Sequence, residues 1–120
     1  MKVKTSKLTG HALDWAVARA EGMEAFQIKA NGPVHLRRMV GCSPTAFRPS
    51  TNWAQGGPII EREKMWVSWV ESNYKYIDGC WSAHVRSRIC YGPTPLIAAM
   101  RSFVASKLGD EVEVPGELMA

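Results

Sequence analysis

The sequence predicts a single α+β domain in which two helices pack on a mostly antiparallel β-sheet. Two stretches, one near each end of the chain, carry apolar residues at the three- and four-residue spacing of a helix. Between these two stretches, short aromatic-rich segments have the pattern of strands, and turn residues separate one segment from the next. The chain of 120 residues is long enough for one hydrophobic core and short for two, so we expect one domain over residues 1–120.

The C-terminal helix has the clearest start and stop signals. Thr94 can cap it, Pro95 suits the first helical position, and Gly109 can end it in a left-handed conformation. Its apolar stripe consists of Leu96, Ala99, Met100, Phe103, Val104 and Leu108. Arg101 lies on the flank of this stripe, where packing does not require a cation. We therefore expect the helix to form one wall of a site.

The remaining elements follow from local patterns. An N-terminal helix is predicted from about Thr9 to Gly22. Residues 24–40 predict an edge hairpin, because Asn31-Gly32 supplies the positive φ angles of a two-residue turn and Pro33 would leave one ladder bond unmade. Strands are predicted at residues 65–70, 80–85, 88–91 and 111–114. Residues 41–58 lose all periodicity and predict a long loop.

Composition and charge narrow the classes of protein and partner. The net charge of +4 suits an anionic partner, but basic and acidic residues are interleaved, which leaves nucleic acid and a small anionic ligand both open. No apolar run is long enough to span a membrane and no apolar segment follows the basic N-terminus, so we expect a cytoplasmic protein. Three widely spaced cysteines support neither a disulfide framework nor a zinc site, and no metal or cofactor is predicted.

The predicted loop supplies the candidate ligand site together with the C-terminal helix. Its hydrogen-bonding side chains, its aromatic ring and its two small glycines suit a nucleotide, and arginines can supply charge for phosphate. The candidate residues are Arg48, Thr51, Asn52, Trp53, Gln55, Gly56, Gly57, Thr94 and Arg101. The alternatives are that the loop inserts its own tryptophan into the core, and that Arg101 pairs with Asp14 or Glu61 to hold elements together.

The sequence does not favour an enzyme. His11, His35 and His84 belong to different predicted elements, and none lies in a nucleophile or metal motif. The aromatic residues in or beside the predicted strands exceed what one small core readily absorbs, so we expect a homo-oligomer with part of this set at its interface. These residues are Trp66, Trp69, Tyr74, Tyr76 and Trp81. Stacking on nucleic-acid bases is the alternative.

Three segments resemble the NinX family of small phage proteins. They are Thr9-Gly10 with Ala12-Leu13-Asp14-Trp15-Ala16-Val17-Ala18, then Pro49 to Glu61, then Gly92 to Glu113. The chain departs from the family pattern at Asn52, where we expect Asp, and at Ser102-Phe103, where Cys-Tyr is common. Residues 23–47 and 64–91 do not contribute to the resemblance.

The resemblance implies a small accessory protein from a lambdoid phage or prophage. The family is also similar to the phage anti-Thoeris sponges, which bind and hide cyclic ADP-ribose signals, and some of which hold cyclic oligonucleotides. By that similarity we expect an anti-defence protein that sequesters a cyclic nucleotide without catalysis. The alternative is a nucleic-acid-binding accessory protein of phage recombination or regulation.

Overall fold

Three α-helices and three small antiparallel sheets make up the described part of the chain. The structure is a computed structural model, and it describes residues 1–27, 32–36, 46–71 and 79–119. The helices are α1 (Gly10–Ala20), α2 (Trp53–Glu63) and α3 (Pro95–Leu108). The strands are β1 (Lys2–Lys4), β2 (Ala25–Gln27), β3 (Val34–Leu36), β4 (Trp66–Val70), β5 (Cys80–Val85), β6 (Arg88–Gly92) and β7 (Glu111–Glu113). The α+β class is confirmed, but the predicted two helices on one sheet are replaced by three helices and three sheets.

Helix α3 is the centre of the core. Thr94 caps it, with its hydroxyl accepting a hydrogen bond from the Ile97 backbone N–H at 3.1 Å, and Gly109 ends it with φ near +91°. The predicted stripe is buried except at its last residue, and Met100, Phe103 and Val104 have no exposed surface. Because aromatic and aliphatic side chains of this size contribute most to hydrophobic stabilisation, α3 organises the packing of the other elements.

Helix α1 packs against α3, and its boundaries agree with the prediction. Leu13, Ala16 and Val17 are fully buried on the face that joins the common core. Gly22, two residues beyond the helix, has φ near +75°. That conformation favours glycine because it has no Cβ, so the chain turns there toward β2.

Strands β4, β5 and β6 form an antiparallel sheet in that order, as the sequence predicts for the three segments. Residues directly opposite each other in neighbouring strands share a face, so one row crosses all three strands as Trp66, His84 and Ile89. The opposite face carries Ala83 and Val85, which are buried in the protein interior. We call the first face the outer face.

Two further sheets have two strands each. Strand β2 pairs with β3 as the predicted hairpin, with Gln27 opposite Val34. The predicted turn residue Asn31 lies outside the described residues. Strand β7 pairs with β1, a strand that the sequence did not predict, with Lys2 opposite Glu113. The two ends of the chain are thereby joined.

The predicted loop over residues 41–58 is wrong over residues 53–58, because helix α2 begins at Trp53, and its residues 41–45 lie outside the described part of the chain. Asn52 caps this helix through its side-chain oxygen, which accepts a hydrogen bond from the Ala54 backbone N–H at 2.9 Å. Gly56, Gly57 and Pro58 all disfavour a helix interior, yet they lie inside it. Burial of Gly56 and Ile59 against the core offsets that cost. No helix within the described ranges is long and apolar enough to cross a membrane.

Candidate functional site

A pocket opens beside strand β6, between the short 3₁₀ turn Thr5–Lys7 and helix α3. Its volume is about 700 Å³. The described residues that line it are Ser6, Lys7, Gly79, Cys80, Ile89, Cys90, Tyr91, Gly92, Pro93 and Arg101. The wall therefore combines two cationic side chains, one phenol ring and several apolar or backbone surfaces. Pockets of this size and mixed lining are typical of small-molecule sites.

Arg101 is held in the pocket wall by two backbone carbonyls. Its Nε donates to the Leu8 oxygen at 2.7 Å, and its Nη1 donates to the Tyr91 oxygen at 2.8 Å. Both acceptors are neutral backbone oxygens, and these two bonds fix the plane of the guanidinium group. They also join the end of the 3₁₀ turn to β6. Arg101 is thus half-buried in the pocket wall, where it has a structural role.

Glycine and cysteine residues complete the wall next to Arg101. Gly92 packs so closely against α3 that a Cβ at this position would lie 2.8 Å from the Ala98 backbone nitrogen. The thiols of Cys80 and Cys90 are both free and buried. Burial raises the pKa of Cys90 above its ordinary value, and the nearby Arg101 charge opposes this shift only in part. The Cys90 thiol therefore presents apolar surface to the pocket at neutral pH.

The candidate residues of the predicted loop lie in a different place, and none of them is among the described lining residues of the pocket. Gln55 braces its own segment: its Nε2 donates to the Ala46 oxygen at 2.8 Å, and its Oε1 accepts from the Arg48 backbone N–H at 2.5 Å. Asn52 caps α2 and Thr94 caps α3. Three of these candidate side chains thus make hydrogen bonds within the protein.

Other parts of the protein pack closely against Gly56, which requires a residue without a side chain. A Cβ at Gly56 would collide with the Pro49 carbonyl oxygen and lie 2.7 Å from Leu96 Cδ2. At Gly57 a Cβ would make an ordinary van der Waals contact with the Trp53 ring at 3.8 Å. Trp53 itself is 57% exposed, so the alternative in which this ring enters the core is wrong. Thr51 and Arg48 are also exposed.

A buried polar cluster joins α1 to the segment before α2. Asp14 is 2% exposed and accepts a hydrogen bond from the Ser50 backbone N–H at 2.9 Å. Burial raises the pKa of Asp14 above its ordinary value, while the Ser50 hydroxyl and N–H and the charges of His11 and Arg48 oppose the shift. Because Asp14 and Ser50 are almost inaccessible, we assign this cluster a structural role. The predicted alternative had Asp14 as a partner of Arg101 instead.

Comparison with known families identifies the chain. A family model described as bacteriophage P22, NinX matches residues 4–107, which is most of the chain. The chain belongs to the NinX family. No curated protein matches the sequence significantly. The family match includes residues 23–47 and 64–91, which did not contribute to the sequence resemblance, and it makes this NinX protein a phage accessory protein.

Of the candidate residues that the sequence indicated in this NinX protein, Arg101 is among the described lining residues of the pocket; Lys7 and Tyr91 also line it and were not indicated. Lys7 belongs to a short N-terminal turn, and Tyr91 to the end of β6. The only available signal for Tyr91 was its position immediately before Gly92-Pro93, where a strand ends near the start of α3. Lys7 had no local signal, because the contact that brings it to α3 spans more than 90 residues of sequence.

Proposed function

We propose that this NinX protein is a non-catalytic binding protein that sequesters a cyclic nucleotide immune signal inside the infected or lysogenic cell. The ligand class is a cyclic ADP-ribose or a cyclic oligonucleotide. The observation that carries the proposal is the pocket beside β6, with Arg101 fixed in its wall by the Leu8 and Tyr91 carbonyls. A fixed guanidinium favours tight binding because less conformational entropy is lost when phosphate arrives.

The other walls of the pocket suit the rest of a nucleotide. Tyr91 offers an aromatic ring for a base, and Ile89 and Cys80 offer apolar surface beside it. The net charge of +4 favours an anionic ligand at long range. The volume of about 700 Å³ accommodates a ligand larger than one nucleoside.

The positions of the histidines and of the buried Asp14–Ser50 cluster are compatible with binding without turnover. His11, His35 and His84 lie on α1, β3 and β5, respectively, and none lines the described part of the pocket. Asp14 and Ser50, which share a buried cluster, are each 2% exposed, so a substrate would not reach them. Sequestration requires affinity alone, which a fixed charge and an aromatic face can supply without a general acid or base.

A second candidate function is nucleic-acid binding through the outer face of the β4–β5–β6 sheet. Trp66 is 71% exposed there, 6.0 Å from the His84 ring, and Ile89 beside them is 50% exposed. Exposed rings on a sheet are used by single-strand binders for stacking on bases. Ile89 also lines the pocket, so Trp66 and Arg101, which each belong to one of the two surfaces, are the residues that distinguish the two functions.

A ligand screen tests the first function. We expect cyclic ADP-ribose isomers or cyclic dinucleotides to raise the melting temperature, because a ligand at 100 times its Kd adds about 2.7 kcal/mol of stability. In titration calorimetry, Arg101→Lys should weaken binding of the same compound by about 1.5–3 kcal/mol. Arg88→Lys is the matched control, since Arg88 pairs with Asp110 outside the pocket lining and should leave affinity unchanged.

Two results would count against sequestration. One is a screen in which no cyclic nucleotide changes the melting temperature; the other is equal affinity in wild type and Arg101→Lys. Two results would favour the second function: affinity for single-stranded DNA that falls steeply with rising salt, and loss of this binding in Trp66→Ser. The salt dependence is expected because counterion release accompanies binding to many phosphates. A small ligand with one or two phosphates should respond only weakly to salt.

A further inference from the structure

We infer that the protein has a second binding site, at the C-terminal end of α1, which captures the C-terminal end of an extended polypeptide. The site is a cavity of about 500 Å³. It is separate from the pocket beside β6, and no described residue lines both. The inference goes beyond the proposed sequestration of a nucleotide and does not depend on it. The described residues that line the cavity are Trp15, Arg19, Gly22, Met23, Glu24 and Ala25.

Arg19 presents a guanidinium group to this cavity that is positioned by the ring of Trp15. Both residues belong to α1, and the Arg19 Cζ lies 5.4 Å from the centroid of the Trp15 ring. Trp15 is half-buried and packs against the core, which holds its ring in place. Arg19 is exposed, and within the described contacts its guanidinium makes no hydrogen bond and no ion pair. A guanidinium over an aromatic ring still has N–H groups for a carboxylate, which it binds bidentately.

The main chain beside the cavity is a well-defined helix end. The Met23 backbone N–H donates to the Ala18 oxygen at 2.9 Å. The Gly22 N–H donates to the Arg19 oxygen at 3.0 Å, and Gly22 has φ near +75°. These two bonds and the left-handed glycine form a Schellman motif, which bonds the last carbonyl groups of a helix within the protein. Because the motif fixes the backbone from Arg19 to Met23, less order has to be imposed when a ligand binds.

Strand β2 directs backbone hydrogen-bonding groups toward an edge next to this cavity. On the far side of β3, the Phe47 N–H donates to the Val34 oxygen at 2.8 Å, so the backbone groups of Val34 point away from β2. Successive residues of a strand direct these groups to opposite edges, so the ladder bonds of the hairpin join His35 to Phe26, its partner on β2. The N–H and C=O of Ala25 therefore point to the other edge of β2, which no described strand occupies.

The direction of this edge selects the C-terminus of the added polypeptide. Antiparallel pairing is the more stable arrangement, and in it the C-terminal end of the added strand lies beside the start of β2. Strand β2 starts at Ala25, which lines the same cavity as Arg19. The last residue of the added strand thus lies in the cavity, where its N–H donates to the Ala25 oxygen and its carboxylate meets the Arg19 guanidinium. Strand addition at a sheet edge and capture of a terminal carboxylate are both established modes of peptide recognition.

The charges and apolar surfaces of the cavity favour a peptide over a nucleotide. Glu24 lines the cavity together with Arg19, and their formal charges sum to zero, which disfavours a ligand with several negative charges. A peptide C-terminus has one negative charge. Trp15 and Met23, which pack against the core, supply apolar surface for the last side chain of the peptide. We therefore expect an apolar residue at the C-terminal position of the partner.

Fluorescence polarisation on the full chain tests the inference, with a library of fluorescein-labelled pentapeptides whose last two residues vary over all amino acids. Each peptide is made with a free C-terminal carboxylate and with a C-terminal amide. Arg19→Gln removes the cation from the cavity. Lys107→Gln is the matched control, since Lys107 is an exposed cation in the last turn of α3 and is absent from the described lining. Melting temperatures of both variants without peptide verify that they fold.

We expect the tightest peptides to have an apolar last residue and a free carboxylate, and their amides to bind about tenfold more weakly or worse, the scale of one charged hydrogen bond. Arg19→Gln should weaken the carboxylate form by a similar factor and leave the amide form unchanged. Lys107→Gln should change either form by less than about twofold, as expected for an exposed charge outside the site. N-methylation of the last peptide amide should also weaken binding, because it removes the bond to the edge of β2.

Four results would overturn the inference. The first is a library in which no peptide binds, and the second is equal binding of the carboxylate and amide forms. The third is an equal effect of Arg19→Gln and Lys107→Gln, which would show a general charge effect. The fourth is undiminished binding of the N-methylated peptide, which would exclude addition to β2. None of these measurements concerns the pocket beside β6, so the proposed sequestration of a nucleotide is tested separately by its own ligand screen.

Discussion

At Gly56 the groups that approach the backbone closely belong to the protein and not to a ligand. The sequence indicated a position where backbone is approached closely, and such an approach exists. The approaching groups are the carbonyl oxygen of Pro49 and the side chain of Leu96, both in the same chain. Gly56 therefore allows α2 to dock against the start of α3, and its neighbour Gly57 has ordinary surroundings.

This difference predicts that alanine substitutions at Gly56 and Gly57 have different effects on stability. Gly56→Ala should lower the free energy of unfolding by about 1–3 kcal/mol, because the new Cβ meets backbone that cannot move independently. Gly57→Ala should leave it unchanged or raise it by up to about 1 kcal/mol, since alanine favours a helix over glycine. Urea denaturation followed by circular dichroism measures both. Equal effects of the two substitutions would contradict the close packing of α2 at Gly56.

Arg101, at the same scale, combines a structural role with the proposed role in binding, and a single substitution does not separate the two. Its hydrogen bonds to Leu8 and Tyr91 join the N-terminal turn to β6, and its charge lies in the pocket wall. A lysine there cannot reproduce two divergent N–H donors. Arg101→Lys is therefore expected to lower stability as well as affinity, and Lys7, which makes no described internal contact, gives the cleaner test of binding.

At the scale of elements, the sequence predicted those whose signals are local. Helices α1 and α3 have continuous apolar stripes, and β4, β5 and β6 have aromatic and β-branched runs bounded by turns. Helix α2 was missed because Gly56-Gly57-Pro58 are turn signals. Tertiary contacts stabilise it instead, including the ion pair between Arg62 and Glu21 of the segment after α1. Strand β1 was missed because its partner β7 is at the other end of the chain.

The cap of α2 is the basis of a prediction for that element. Asn52 accepts from the Ala54 N–H, and no acidic residue lies in the first turn of the helix. Asn52→Asp keeps the accepting oxygen and places a negative charge at the positive end of the helix dipole. We expect a gain of about 0.3–1 kcal/mol in the free energy of unfolding at low ionic strength.

Thr51→Asp is the control for this prediction, since it adds the same charge one residue before the cap. It should give a smaller gain than Asn52→Asp, and high salt should reduce the difference between the two variants. Chemical denaturation at two salt concentrations provides the comparison. A loss of stability in Asn52→Asp would contradict the expected interaction with the helix dipole.

At the scale of the whole molecule, the pocket could not be assembled from the sequence. Its walls come from the N-terminal turn, the strands β5 and β6, and α3, which are brought together by contacts distant in sequence. Arg101 had the clearest local signal, a cation on the flank of an apolar stripe. Lys7 and Tyr91 lie in segments whose own patterns fit a surface turn and a strand equally well.

The outer face of the β4–β5–β6 sheet leads to the last prediction, the expected homo-oligomer. Trp66 is 71% exposed and Ile89 is 50% exposed on this face, and such large apolar side chains are uncommon on the surface of a monomer. We expect light scattering at micromolar concentration to give at least twice the chain mass of 13.3 kDa. Trp66→Ser should return the monomer mass with an unchanged circular dichroism spectrum.

Trp53→Ser is the matched control for Trp66→Ser. Trp53 is 57% exposed but lies on α2, away from the outer face, so this variant should keep the oligomer mass. A wild-type mass of 13.3 kDa would reject the oligomer and leave Trp66 accessible to nucleic-acid bases. An oligomer that persists in Trp66→Ser would place the interface elsewhere. Because a face covered by a second copy cannot also stack on bases, the mass of the wild-type protein bears directly on the choice between the two functions.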